Sequence, residues 1–167
     1  MISIKYNITE KFNDYDVKSN DLWFGIYGGF EMKINDKLFG YYPEEDEFIP
    51  ETLTEDILYW FTELATCVME LSKNVKYTLQ LLPHTMGKIV FLLKDEVVIE
   101  YYNQNSIFQW KENCDWQQFM EELYINLEGF ICNVRKENIR LLEVKEFIEI
   151  KTALELLKNN ILMYKEF

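Results

Sequence analysis

Apolar and polar residues alternate over residues 2 to 8, as expected of a half-buried strand. Strand-like patterns recur over residues 22 to 34 and from Leu38 to Tyr42. The pair Gly28-Gly29 indicates either a tight turn or a β-bulge. We favour the bulge, because the cluster Asn35-Asp36-Lys37 already supplies a hairpin turn. These segments predict an N-terminal group of antiparallel strands.

The pattern changes between Leu53 and Leu71 to the three- and four-residue spacing of an amphipathic helix. Thr52 and, three residues on, Glu55 form a capping box, so we expect the helix to begin there. Further strands are predicted to begin at Val75, Lys88 and Val97, with a short one from Ser106 to Lys111. The breaks between them suit hairpin turns and predict an antiparallel meander.

Asp115 precedes the most regular helical pattern of the chain, which continues to Val134. A last helix is predicted from about Leu141 to Lys158. No linker or repeat divides the chain, so residues 1 to 167 are predicted to form a single globular domain. The pattern predicts an α+β fold, in which an antiparallel sheet from the hairpin group and the meander packs against one middle helix and two C-terminal helices.

Composition narrows the class of protein. The 167 residues are 49% hydrophobic, enough to bury a core without disulfide or metal support. The three cysteines show no C-x-x-C spacing. The sequence also has no signal-peptide core and no apolar run near the roughly twenty residues that span a bilayer. These features predict a cytoplasmic protein whose cysteines are reduced.

Acidic residues outnumber basic ones by 29 to 17, for a net charge of -12. Such a surface repels phosphate and anionic lipid, so we predict neither a nucleic-acid nor a membrane partner. The charge is uneven: residues 1 to 72 hold 15 acids and 5 bases, whereas residues 73 to 111 hold 3 acids and 5 bases. Most of the negative charge therefore belongs to the N-terminal part.

Catalytic signatures are scarce. His84 is the only histidine and lies in a predicted turn, which excludes a multi-histidine zinc site. The six glycines form neither a P-loop nor a dinucleotide fingerprint. We therefore predict no catalytic residues, no metal and no cofactor. Because carboxylate pairs are abundant, the alternative is a small carboxylate-dependent enzyme or small-molecule-binding domain, with a pocket between the sheet and the C-terminal helices.

An acidic run between aromatic residues is the best candidate for a binding site. Aromatic anchors beside carboxylates suit an interface with a basic protein partner. Alternatively, Tyr41 and Phe48 belong to the core beside a loop charged for solubility, or aromatic residues of the first hairpin form a homodimer seam. The candidate partner-binding residues are Tyr41, Tyr42, Glu44, Glu45, Asp46, Glu47 and Phe48.

The stretch from Trp23 to Gly40 reads W-F-G-x-Y-G-G-F-E-M-K-I-N-D-K-x-x-G. Together with the acidic loop and the Trp-containing helix that follow, it resembles the small acidic immunity proteins of bacterial polymorphic and contact-dependent toxin systems. The resemblance covers about a third of the chain. It implies a cytoplasmic, non-enzymatic protein that binds and neutralises a basic toxin domain. Because these proteins have many unrelated folds, it implies a role rather than an architecture.

Overall fold

The computed structural model describes residues 1–9, 25–42, 54–81 and 87–165. The strands are β1 (Ile2–Ile8), β2 (Tyr27–Ile34), β3 (Lys37–Tyr41), β4 (Glu55–Asp56), β5 (Lys76–Leu81), β6 (Gly87–Leu93), β7 (Val97–Asn103) and β8 (Phe108–Cys114). The helices are α1 (Ile57–Leu71), α2 (Trp116–Glu137) and α3 (Lys145–Lys165), with a 3-10 helix over Ile139–Glu143. The predicted α+β class is confirmed, and the strands form two separate antiparallel sheets.

The first sheet has the order β1-β2-β3, and β4 also pairs with β2. Gly28 pairs with Ile8 of β1 and with Glu55 of β4, so β1 and β4 lie on opposite sides of β2. β3 pairs with β2 from Phe30 to Ile34. The strands β3 and β4 therefore follow one another along the same edge of β2.

The predicted bulge at Gly28-Gly29 is wrong, because β1 and β2 pair without a register shift through both glycines. The reason for glycine at position 28 is close packing. A methyl group there would overlap the carbonyl oxygen of Asn7 and lie 2.9 Å from Cδ1 of Ile57. The predicted hairpin turn at Asn35 is confirmed, and Asn35 adopts a positive φ of 55°.

The second sheet has the order β5-β6-β7-β8 and confirms the predicted meander. Its last strand begins at Phe108 and continues to Cys114, beyond the predicted end at Lys111. A register shift between Tyr101 and Tyr102 marks an irregularity opposite the start of β8. The sheet is thus regular except at the end that carries the turn between β7 and β8.

The predicted start of the middle helix is wrong. The backbone of Glu55 and Asp56 pairs with β2, so α1 begins only at Ile57. Oδ1 of Asp56 accepts a hydrogen bond of 3.0 Å from the backbone N–H of Tyr59, which makes Asp56 the N-cap. Glu55 is buried instead of completing a capping box.

The C-terminal helices agree more closely with the pattern. Asp115 caps α2 as predicted, with Oδ1 accepting from the N–H of Gln118 at 2.9 Å. The last helix differs, because the segment predicted to start it at Leu141 is a 3-10 helix. α3 begins at Lys145 and extends past the predicted end at Lys158.

One cluster of buried side chains includes residues from both sheets and all three helices. Aromatic rings form its centre: Phe61 lies 5.0 Å from Tyr6 and 4.7 Å from Phe130, and Phe130 lies 5.7 Å from Phe147. This chain of rings connects β1 to α1, α2 and α3. Truncating a buried phenylalanine to alanine typically costs about 3–5 kcal/mol, so these contacts hold the layers together.

Among the helices of the described ranges, none combines the length and the apolar character that crossing a bilayer requires.

Candidate protein-binding site

Both ends of the predicted acidic segment are attached to one edge of the first sheet. β3 ends with Tyr41 opposite Phe30, and β4 begins with Glu55 opposite Gly28. These two positions on β2 are two residues apart, or about 7 Å. Residues 43–53, which include the predicted site residues Glu44, Glu45, Asp46, Glu47 and Phe48, lie outside the described residues. Their sequence has five acidic residues and no basic one.

A second acidic segment, residues 10–24, is attached at the same end of this sheet. It follows Thr9, whose backbone N–H donates to the carbonyl oxygen of Tyr27 at 3.1 Å, and it precedes Gly25. The segment holds four acidic and two basic residues. The two segments have net charges of -2 and -5, so together they carry seven of the twelve net negative charges. More than half of the net charge is therefore attached to one end of one sheet.

The structure separates the two predicted tyrosine anchors. Tyr41 is paired with Phe30 and lies on the face of the sheet that carries the core. Tyr42 follows it onto the opposite face, where Nζ of Lys5 lies 5.9 Å from the centre of its ring. Both tyrosines are half-buried. Tyr42 is therefore the one of the two on the outer face of the sheet.

A buried polar contact supports the point where the acidic segment returns to the sheet. Nε1 of Trp60 donates to Oε2 of Glu55 at 3.1 Å. The indole ring also stacks on Phe30, with 4.6 Å between centroids and 13° between planes. The capping-box interpretation missed this role of Glu55, because a glutamate just before a helix has the same local signature in both cases.

Side chains of β3 and of the turn before it contact β8 of the second sheet. Asn35 Nδ2 donates to Oε2 of Glu112 at 2.6 Å, and Phe39 packs on Trp110 with 5.1 Å between ring centroids. From Asn35, in the turn before β3, to Phe39 within β3, the contacts on β8 move back from Glu112 to Trp110. β3 therefore runs antiparallel to β8, so Tyr41 and Phe108 lie at the same end of the two sheets.

A second contact joins the start of α1 to the end of β5. The hydroxyl of Tyr59, in the first turn of α1, donates to the carbonyl oxygen of Gln80 at 2.5 Å. Burial raises the pKa of this hydroxyl to about 12. Gln80 pairs with Lys88, which pairs with Tyr102, which pairs with Phe108. This row of four paired residues, from Gln80 to Phe108, spans about 14 Å across the second sheet.

We call this part of the molecule the loop end. Its described residues are Thr9, Gly25–Tyr27, Tyr41–Tyr42, Thr54–Asp56, Gln80–Leu81, Gly87–Lys88 and Asn103–Phe108. His84 falls within residues 82–86, outside the described residues.

The loop end exposes large apolar side chains. Tyr27 is 37% exposed, Ile107 57% and Phe108 51%. Phe108 also meets Tyr102 edge to face at 5.8 Å, and Nζ of Lys88 lies 5.2 Å from the Tyr102 ring. Sequence reasoning missed Ile107 and Phe108, because alternation alone does not show that the start of β8 lies beside the end of β3.

The predicted alternative is a cleft that contains carboxyl groups of altered pKa. The residues that bear on it lie in a different part of the molecule. Burial raises the pKa of Glu63 on α1, and the nearby Glu149 carboxylate adds to the effect. Oε2 of Glu63 accepts a hydrogen bond of 2.8 Å from the hydroxyl of Tyr77 on β5. Within the described residues, no group of three histidine, cysteine, aspartate or glutamate side chains is arranged to hold a metal ion.

Two open grooves of about 450 and 560 Å³ lie along α2 and α3. Ile125 lines both, and Glu63 lines neither. The grooves follow the solvent side of the helix pair, where Ile125 is 63% exposed. They are therefore surface grooves between two helices, and they do not correspond to the predicted pocket between the sheet and the helices.

Comparison of the chain with protein-family models, with curated proteins and with solved structures found no match.

Proposed function

We propose that this chain is a cytoplasmic, non-enzymatic protein of the immunity type, which binds a basic toxin domain through its loop end and neutralises it. The observation that carries the proposal is the position of the charge. Two segments holding seven of the twelve net negative charges are attached to the same end of the first sheet.

Charge collected at one end acts differently from charge spread evenly. A one-sided field orients an approaching basic domain before contact and raises its association rate. The effect acts within about 8 Å of the surface at physiological ionic strength. Charge that serves only solubility can be spread evenly over the surface. The attachment of the acidic segments to one end therefore favours a binding role.

Apolar side chains at the same end supply the other part of an interface. Protein interfaces combine aromatic anchors, which hold most of the binding energy, with a charged rim. The loop end exposes Tyr27, which pairs with Asp56 at one attachment point, and it exposes Ile107 and Phe108 in the turn between β7 and β8. Charge can then speed encounter while the apolar residues slow dissociation.

The proposal is tested with the basic C-terminal domain encoded by the gene next to this one. Calorimetry should give a one-to-one complex with a Kd of about 1–10 nM, which corresponds to about -11 to -12 kcal/mol. The activity of that domain should be lost when the complex forms. A neighbouring gene without a toxic domain, absence of binding, or binding that leaves the toxin fully active would contradict the proposal.

A homodimer is the alternative use of the same surface, and light scattering of the free protein separates the two. We expect a monomer of 20.2 kDa. A dimer that buries the loop end and does not dissociate when the toxin domain is added would also contradict the proposal.

A further inference from the structure

We propose that the turn between β7 and β8 is the apolar anchor of this interface, and that Ile107 and Phe108 insert into an apolar pocket of the basic toxin domain. This inference rests on the proposed function. It attributes the slow dissociation of the complex with the toxin domain to two residues that lie outside the acidic segments.

The two anchor residues are adjacent and more than half exposed, Ile107 by 57% and Phe108 by 51%. The edge-to-face contact with Tyr102, at 5.8 Å, supports the Phe108 ring from one side. The exposed side remains free within the described residues. Aromatic residues, Phe among them, are enriched at the buried centres of protein interfaces, and Phe108 combines a supported ring with an exposed side.

The turn is closed by hydrogen bonds that involve a single residue, Asn103. Its Oδ1 accepts from the backbone N–H groups of Asn105 and Ile107, each at 3.0 Å. Its carbonyl oxygen accepts from the N–H of Ser106 at 2.8 Å, and its own N–H donates to the carbonyl oxygen of Ile107 at 3.0 Å. A turn held in this way presents its side chains with little entropy left to lose on binding.

Ser106 adds a second sign of a fixed conformation. Its φ of 58° lies in the left-handed region, which residues other than glycine adopt only where their surroundings hold them. It immediately precedes Ile107. The turn therefore keeps an unfavourable backbone conformation at the position that directs the chain into the two exposed apolar residues.

The charge of the loop end selects the occupant. In each copy of the chain, the two segments attached to this end carry a net charge of -7, which opposes an approach of two copies through this end. A basic domain meets no such repulsion and gains from the charge. We therefore assign the turn to the toxin domain and not to a second copy of the chain.

The test compares two double variants, Ile107→Ser/Phe108→Ser and Leu38→Ser/Val75→Ser. The second pair is a matched control, since Leu38 is 57% and Val75 72% exposed away from the loop end. Surface plasmon resonance with the immobilised toxin domain should show koff raised about tenfold or more for the first variant, with kon nearly unchanged. The control should stay within about twofold of the unmodified protein.

The outcomes separate this inference from the proposed function. If the unmodified protein binds and Ile107→Ser/Phe108→Ser dissociates no faster, the turn is not the anchor, and the proposed function stands. If the unmodified protein does not bind, the proposed function and the anchor both fail. Thermal unfolding should be unchanged in both variants, because the altered side chains are exposed.

Asn103 is a positioning residue in this proposal. Asn103→Ala keeps both apolar side chains but removes the acceptor for two N–H groups, so koff should rise. Asn103→Asp keeps an acceptor oxygen and should restore slow dissociation. Equal koff values for Asn103→Ala and the unmodified protein would show that fixing the turn does not contribute.

Discussion

Among the described residues, Glu63 has a carboxyl group whose pKa is raised by burial above the ordinary value of 4.5. The hydroxyl of Tyr77 opposes the shift by donating to the carboxylate, while Glu149 adds to it. Because the folded protein favours the protonated form, the stability from Glu63 is present below its ordinary pKa. That stability is lost as the pH rises through the raised value.

The variant Glu63→Gln tests this balance. Glutamine stays neutral and still offers an oxygen to the hydroxyl of Tyr77. We expect the variant to resemble the unmodified protein near pH 4 and to have the higher Tm at pH 7, with the gap widening from about pH 4.5 upward. Thermal unfolding followed by circular dichroism across this range measures the gap. A gap that does not change with pH would contradict the account.

Elements that follow from local pattern were predictable, and those that depend on distant contacts were not. The stripe of α2 and its cap Asp115 are local features, so the sequence predicts them well. The two-residue strand β4 forms only because β2 offers an edge beyond the end of β3. Gly28 likewise has its reason in the approach of β1 and Ile57.

Likewise, one part of the candidate site could be predicted from the sequence and another part could not. The acidic run is visible in the sequence, and the period of two residues along a strand already separates Tyr41 from Tyr42. Ile107 and Phe108 join the site through the contacts of Phe39 with Trp110 and of Tyr59 with Gln80. Those pairs join residues far apart in the chain, so periodicity gives no sign of them.

The corrected start of α1 leads to a prediction at the scale of the helix. Asp56→Ala should lower the free energy of unfolding by about 1 kcal/mol, because the N–H of Tyr59 loses its acceptor. Asp56→Asn keeps an acceptor at the same position and should have nearly the stability of the unmodified protein. Urea denaturation measures both variants. Equal stability of Asp56→Ala and the unmodified protein would show that the cap contributes nothing.

Across the molecule as a whole, the loop end and the pair of helices α2 and α3 differ in charge. The residues lining the grooves along α2 and α3 balance three glutamates against three basic residues. The two segments attached to the loop end instead hold nine acids and two bases. More than half of the net negative charge therefore belongs to two segments that are attached to the loop end.

We propose that the position of the negative charge, and not its total, makes the loop end attract a basic partner. Replacing Glu44, Glu45, Asp46 and Glu47 by lysine changes the net charge from -12 to -4. The matched control makes the same change elsewhere in the structure, at four exposed acids: Asp95, Glu137, Glu143 and Glu155.

Stopped-flow association with the basic toxin domain, at about 20 and 200 mM salt, is the most direct measurement. We predict that the loop-end variant associates about tenfold or more slowly at low salt, and that its rate depends less on salt. The control should lose much less. Equal losses in the two variants, or an unchanged rate for the loop-end variant, would contradict the claim.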